Sequence, residues 1–221
     1  MTPASPKHRL AWWQWAAFPV LAAVVALTYL WVGPATYFSS PGAARIIFFH
    51  VPVAMLLAYW YLVAGVCSLR YLLSREQRWD VKAAAAAEVG LVCTILATIS
   101  GAVFARVQWN SWWNWDPKQV AIVIILMIYA AYFALRGAVE DLDLRARVSA
   151  VYALLAGVAV PVIIKVLPQL PGTGTLHPSG TLQSGGMSAD YRVVFWLALV
   201  GFLWVTSWLY RLRARLGALE G

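Results

Sequence analysis

Residues 119–135 read QVAIVIILMIYAAYFAL, a run of 17 side chains that carries no charge. A helix needs roughly 20 largely apolar residues to cross about 30 Å of hydrocarbon, so this run with its flanks is long enough to span a membrane. The sequence therefore predicts an all-α protein, a polytopic integral membrane helical bundle with six transmembrane helices. The five other apolar runs of similar length lie at about 15–32, 52–72, 83–105, 149–167 and 192–210.

The composition also indicates a membrane protein. Hydrophobic residues make up 62% of the chain and charged residues only 12%, too few to cover the surface of a soluble domain. The net charge of +8 does not indicate nucleic-acid binding, because no basic stretch is interleaved with aromatic residues. No repeat, soluble region or break in composition divides the chain, so we expect a single membrane domain over 1–221.

Lysine and arginine residues predict the orientation of the chain. Six spans place both termini on one side of the bilayer, and 12 of the 17 basic residues lie on that side, which the positive-inside rule assigns to the cytoplasm. The first apolar run exceeds a signal-peptide core, so we expect it to be retained. The 12 residues are Lys7, Arg9, Arg70, Arg75, Arg78, Lys82, Arg136, Arg145, Arg147, Arg211, Arg213 and Arg215; the opposite face has Arg45, Arg106, Lys118, Lys165 and Arg192.

Two histidines and a tryptophan cluster fall on the face opposite the termini. His50 lies in FFHVP and His177 in TLHPSG, within a loop at about 168–189. The segment at about 106–118 contains four indoles within seven residues. Two neutral imidazoles can hold a haem iron from both sides, and indole rings offer a flat apolar surface for the porphyrin. The four tryptophans of this segment are Trp109, Trp112, Trp113 and Trp115.

Each of these features also fits a simpler structural role. A lone histidine at the membrane boundary more often bonds a neighbour, and an aromatic belt accounts for one or two of the indoles. Asp116-Pro117 is typical of an N-cap followed by proline at the first helical position, which predicts the start of span four. Pro52 predicts that span two begins or kinks there, so that His50 lies at an irregular point of the outer boundary. The second histidine in the matching place favours the haem site.

Three cations on the outer face are candidates to pair with the two haem propionates. Arg45, Arg106 and Lys118 can each bind a carboxylate, and snorkelling to lipid phosphate accounts for each of them equally well. Glu88 and Lys165 lie within predicted spans, where ionisable groups are functional candidates. Both are close enough to a helix end to snorkel or pair, so we leave them out of the predicted site.

The main alternative is a cytochrome b-type membrane electron-transfer subunit. Such a protein places paired histidines inside its spans, and no histidine lies inside a span as predicted here. A small-molecule transporter would show broken helices with polar groups near the midplane. Pro161 is the only strong helix breaker well inside a predicted span.

Three motifs in order resemble the CcmC family, the haem exporter protein C of bacterial cytochrome c maturation. They are RIIFFHVPVAM at 45–55, WNSWWNWDPK at 109–118 and TLHP at 175–178, and with the six-span layout the resemblance covers nearly the whole chain. In the family signature W-G-x-x-W-x-W-D, Asn110 stands in place of the glycine. Pro117-Lys118 is more like the larger relatives CcmF and CcsA, whereas length, span number and the 45–55 motif favour CcmC. The signature's other named positions are filled by Trp109, Trp113, Trp115 and Asp116.

The resemblance implies a function in haem transport rather than an enzyme. It implies that His50 and His177 are axial ligands of haem b on the periplasmic face of the bacterial inner membrane. It further implies that the tryptophan segment binds the haem edge, that haem passes to the membrane-anchored chaperone CcmE, and that the ABC transporter CcmAB and the small protein CcmD are partners. Since two imidazoles complete the coordination of the haem iron, such a complex stores haem. His177 lies in a loop, so we expect it to be the ligand that is released.

Overall fold

The structure is a computed structural model that describes residues 12–35, 38–171, 174–177 and 187–220. These residues form helices and connecting segments, with no strand among them, and six helical stretches are long and apolar enough to cross a membrane. The predicted all-α, six-span bundle is confirmed. The elements are α1 (Trp12–Trp15), α2 (Ala17–Leu30), a 3-10 helix (Pro41–Ile46), α3 (Ile47–Ser74), α4 (Gln77–Trp109), α5 (Pro117–Ala138), α6 (Leu142–Val166), a 3-10 turn (Leu167–Gln169) and α7 (Ala189–Glu220).

Helix α3 lies at the centre of the bundle and packs most extensively against α4 and α6. Small residues allow this close approach. A Cβ atom on Gly90 of α4 would lie 2.5 Å from the Tyr61 ring of α3, and one on Gly157 of α6 would lie 2.9 Å from the Tyr61 carbonyl oxygen. Tyr61 in turn stacks on Tyr129 of α5 with ring centroids 3.5 Å apart. The four helices are therefore held in a fixed register.

The expectation that span two begins at Pro52 is wrong, and so is the expectation that His50 lies at an irregular point of the chain. The 3-10 helix leads directly into α3 at Ile47, so Pro52 lies inside the helix and His50 lies in its first turn. Helical geometry is already established upstream of the proline, whose missing N–H removes a single bond to the Phe48 carbonyl. His50 thus lies inside the spanning stretch Pro41–Ser74, contrary to the prediction that no histidine lies inside a span.

Two ion pairs lie away from the predicted haem site. Arg136 of α5 donates two hydrogen bonds to the buried carboxylate of Asp80 on α4, at 2.7 and 2.9 Å. Arg213 of α7 donates to Glu88 of α4 at 2.5 Å. Removing one partner of the buried Arg136–Asp80 pair would leave an uncompensated charge, so this pair fixes α5 against α4. The Arg213–Glu88 pair is about one-third exposed and links α7 to α4 more weakly. Pairing of Glu88 accounts for its place in a span without a role in the site.

Candidate functional site

The predicted site residues come from four elements that meet at one end of the bundle. His50 lies in the first turn of α3, Trp109 ends α4, Asp116 precedes α5, and His177 lies in the segment between α6 and α7. His177 and Lys118 are close enough to His50 to act on it electrostatically. The structure therefore brings together two histidines that are 127 positions apart in the sequence.

The Asp116 carboxylate is the centre of the hydrogen bonding in this site. Its side chain is fully buried, and its two oxygens accept bonds from the Lys118 N–H at 2.9 Å, the Leu176 N–H at 2.6 Å and the Thr175 hydroxyl at 2.9 Å. A fourth bond joins it to Nδ1 of His177 at 2.8 Å. Burial raises the pKa of Asp116, but these donors outweigh that effect and the net shift of the pKa is downward. Asp116 is thus the predicted N-cap and also the anchor of the His177 segment.

The bond to Asp116 fixes the protonation of His177. An ionised carboxylate only accepts hydrogen bonds, so Nδ1 carries the proton and Nε2 keeps its lone pair. Burial lowers the pKa of His177, the neighbouring Lys118 lowers it further, and Asp116 opposes both without reversing the shift. The imidazole is therefore neutral near pH 7, with Nε2 hydrogen-bonded to no residue that the structure describes.

His50 is held in the same tautomer by a different partner. Its Nδ1 lies 2.9 Å from the hydroxyl of Ser100, whose own proton is donated to the Leu96 carbonyl at 2.7 Å. Because the Ser100 proton goes to Leu96, we assign the proton of the His50–Ser100 bond to Nδ1, which leaves the lone pair on Nε2. The ring lies against α4 at Gly101, where a Cβ atom would come within 3.0 Å of the imidazole Cε1. Any larger residue at Gly101 would push the imidazole away.

The indole rings of the tryptophan segment lie in several orientations, and one of them contacts His177. Trp109 packs edge-on against the His177 ring, with centroids 5.1 Å apart and planes at 69°. Trp113 and Trp115 are almost perpendicular to each other, at 85°. Trp112 and Trp115 are 59% and 70% exposed. The expectation of a single flat indole surface is therefore wrong for the Trp113–Trp115 pair.

The left-handed backbone of Asn110 accounts for the departure from the family signature. Asn110 ends α4 with φ of 54°, a conformation that glycine adopts freely and that asparagine tolerates better than most other residues. Its amide oxygen and carbonyl oxygen both accept from Arg106 at 2.5 and 2.7 Å. Asparagine in place of the signature glycine thus preserves the turn that starts the loop.

Trp115 is held in a backbone conformation that large residues rarely adopt. Its φ is 55°, which costs roughly 1–2 kcal/mol for a residue with a Cβ atom. The buried Gln119 side chain holds the loop in place, accepting from the Asn114 N–H at 2.8 Å and the Asp116 N–H at 3.3 Å. This constraint directs the Trp115 indole outward and keeps the chain in register for Asp116 to cap α5.

The three cations predicted to bind the propionates differ in their present partners. Arg45 donates to the Val32 carbonyl at 2.8 Å, and Arg106 donates to Asn110, so both bind their own surroundings. Lys118 lies close enough to Asp116 and Lys165 to interact with both electrostatically. Lys165, which the sequence did not place in the site, is therefore a neighbour of it.

The chemistry of this donor set fits haem better than a bare metal ion. Among the described residues there is no cluster of three or more His, Cys, Asp or Glu side chains that could hold an ion. Haem needs only two axial donors from the protein, because the porphyrin supplies the other four. Two neutral imidazoles with free Nε2 atoms, beside indole rings and cations, meet that requirement.

Comparison with known proteins agrees with the motifs. Residues 4–220 match the model of the CcmC family, described as heme exporter protein C. A heme exporter protein C of Paracoccus denitrificans is 32% identical over 195 residues, covering 87% of this chain and 80% of that protein. Proteins of the same name are 31% identical over 210 residues in Rhodobacter capsulatus (88% of this chain, 86% of that protein) and 28% over 200 in Escherichia coli K12 (88% and 80%).

Proposed function

Because this chain belongs to the heme exporter protein C family, we propose that it binds haem b between His50 and His177 and delivers it for cytochrome c maturation. The protein is a multi-pass membrane protein that traffics haem and is not an enzyme. The observation that carries the proposed site is the matched state of the two imidazoles. In each, Nδ1 donates to the protein and Nε2 is left for iron.

The two proposed ligands are held by different kinds of contact, and this difference indicates which of them leaves the iron first. His50 is fixed on a helix by Ser100 and Gly101, whereas His177 lies outside any helix and is fixed through Asp116. Bound haem would supply iron with two axial positions, both filled by imidazole. Removing His177 requires the Asp116 hydrogen bonds to break but no helix to unwind, so His177 is the ligand exchanged for one from an acceptor.

We propose that the cations and the exposed tryptophans contact the edges of the porphyrin or a partner protein. We propose that Lys118, which has Lys165 as an electrostatic neighbour, binds a propionate. Arg45 and Arg106 would have to leave their present partners to do so. The exposed rings of Trp112 and Trp115 face outward, where a partner can reach them. We propose that this partner is the haem chaperone CcmE, with CcmAB and CcmD as further members of the assembly.

We expect the tryptophan loop to affect haem more than folding. Replacing Trp113 and Trp115 together by leucine keeps apolar bulk but removes two rings, at about 0.5–1.5 kcal/mol each. Haem occupancy should fall about tenfold, measured by haem absorbance per protein after membrane purification. The matched control is Trp15→Leu with Trp31→Leu, which removes two exposed indoles outside the site. Equal occupancy in both double variants, at the parent's level, would mean that the loop is only an aromatic belt.

We propose that both termini are cytoplasmic and that the haem site faces the periplasm. In a background without Cys67 and Cys93, a cysteine at Ser111 in the tryptophan loop should react with an impermeant thiol reagent added to whole cells. A cysteine at Ser74, at the end of α3, should react only after the cells are opened. The reverse labelling would invert the orientation. Ser179, a second outer position by sequence, lies outside the described residues.

A further inference from the structure

An apolar groove bordered by cationic residues lies between the first turns of α4 and the last turns of α7, away from the haem site. It has a volume of about 300 Å³, and half of its eight lining residues are cationic. The rest are small, apolar or aromatic, and none is acidic. The four cations are Arg78, Lys82, Arg211 and Arg215.

Three of these cations have no carboxylate partner among the residues that the structure describes. Arg78 pairs with Glu76. Lys82 lies over the Trp79 ring at 4.3 Å, and Arg211 lies over the Trp13 ring at 5.5 Å. Such contacts orient the charges without neutralising them. The groove therefore keeps a net positive charge that favours an anion.

The position of the groove along the helices matches the depth of lipid phosphates. Helices α4 and α7 have 33 and 32 residues, or about 50 Å each, which exceeds the roughly 30 Å of hydrocarbon. Their ends on the side of the chain termini therefore reach the headgroup region. The lack of a side chain at Gly217 of α7 allows these two ends to approach closely, since a Cβ atom there would lie 3.0 Å from Val81 of α4.

The positive charge beside the groove favours an anionic ligand over the basic N-terminal segment of the chain. Residues 1–11 include Lys7, His8 and Arg9 and no acidic residue, so this segment would be repelled. A phosphodiester beside the apolar Val81 and the small side chains of Ala214 and Ala218 satisfies both the charge and the lining. We propose that this groove binds the headgroup of an anionic phospholipid from the leaflet on the side of the termini.

Lipid binding to the purified full chain tests this proposal. Native mass spectrometry would measure the binding of phosphatidylglycerol and of phosphatidylcholine with the same acyl chains. The parent should bind phosphatidylglycerol preferentially, and Lys82→Gln with Arg215→Gln should weaken that binding roughly thirty-fold. Arg145→Gln with Arg147→Gln, which removes two cations from the same side of the bundle outside the groove, should change it less than about twofold.

Additional variants and competitors distinguish a lipid site from general surface charge, a small-anion site and misfolding. Lys82→Arg with Arg215→Lys keeps both charges and should restore binding, and circular dichroism melting of every variant would identify misfolding. Equal losses in the two glutamine variants would show a general surface charge and overturn the proposal. Displacement of the lipid by millimolar inorganic phosphate would overturn it in favour of a small-anion site. No preference for phosphatidylglycerol in the parent would also overturn it and favour an acidic protein segment as the occupant.

Discussion

Alanine at His50 or at His177 should convert a six-coordinate, low-spin haem into a five-coordinate species or abolish haem binding. Each substitution removes one of the two proposed Nε2 donors, and the described residues contain no other histidine to replace it. The absorption spectrum of each purified variant measures the change. His8→Ala, outside the described residues and away from the predicted site in the sequence, is a control of the same residue type and should keep the parent spectrum.

Free imidazole separates lost ligation from lost folding. A pocket that remains intact after removal of one ring should recover the low-spin spectrum when imidazole is added at millimolar concentration. Unchanged spectra in both alanine variants would show that neither histidine ligates iron. A change in only one variant would show that the two residues do not form a pair.

Asparagine at Asp116 should weaken haem binding by about 10- to 100-fold, the usual effect of losing a residue that orients a metal-ligating histidine. The carboxylate accepts hydrogen bonds from Thr175, Leu176 and His177 in addition to those that cap α5. An amide has one oxygen and would turn its NH2 group toward some of these donors. The tautomer and position of His177 would no longer be fixed, and a haem titration would measure the lost affinity.

The matched control for this substitution is Asp141→Asn. Asp141 caps α6 by accepting from the Leu144 N–H at 2.7 Å, outside the site, and asparagine caps a helix about as well as aspartate. Asp141→Asn should therefore keep the parent's haem affinity and low-spin spectrum, whereas Asp116→Asn should lose both. Haem affinity equal to that of the parent in Asp116→Asn would contradict the anchoring role of this residue.

Local sequence patterns predicted the parts of this molecule that local forces determine. Uncharged runs such as 119–135 predicted the spans, and Asp116-Pro117 predicted the start of α5, because hydrophobic length and helix capping depend on neighbouring residues. The apolar runs underestimated the helix lengths. Helix α4 begins at Gln77 and α7 reaches Glu220, since polar residues continue a helix outside the hydrocarbon.

Contacts between residues far apart in the chain could not be predicted from the sequence. Ser100 and Gly101 support His50 only because α4 runs antiparallel beside α3, and nothing in their own neighbourhood marks them. Thr175 likewise reaches Asp116 across 59 positions. Gln119 is different, since aspartate followed three residues later by glutamine is a capping-box pattern that could have been recognised.

The most direct test of haem binding by this pair of histidines is the visible absorption spectrum of the purified, unmodified protein loaded with one equivalent of haem. Ligation by His50 and His177 predicts a low-spin spectrum with a sharp Soret band and resolved α and β bands in the reduced state. A five-coordinate, high-spin spectrum, or haem that is removed by gel filtration, would contradict the proposed site.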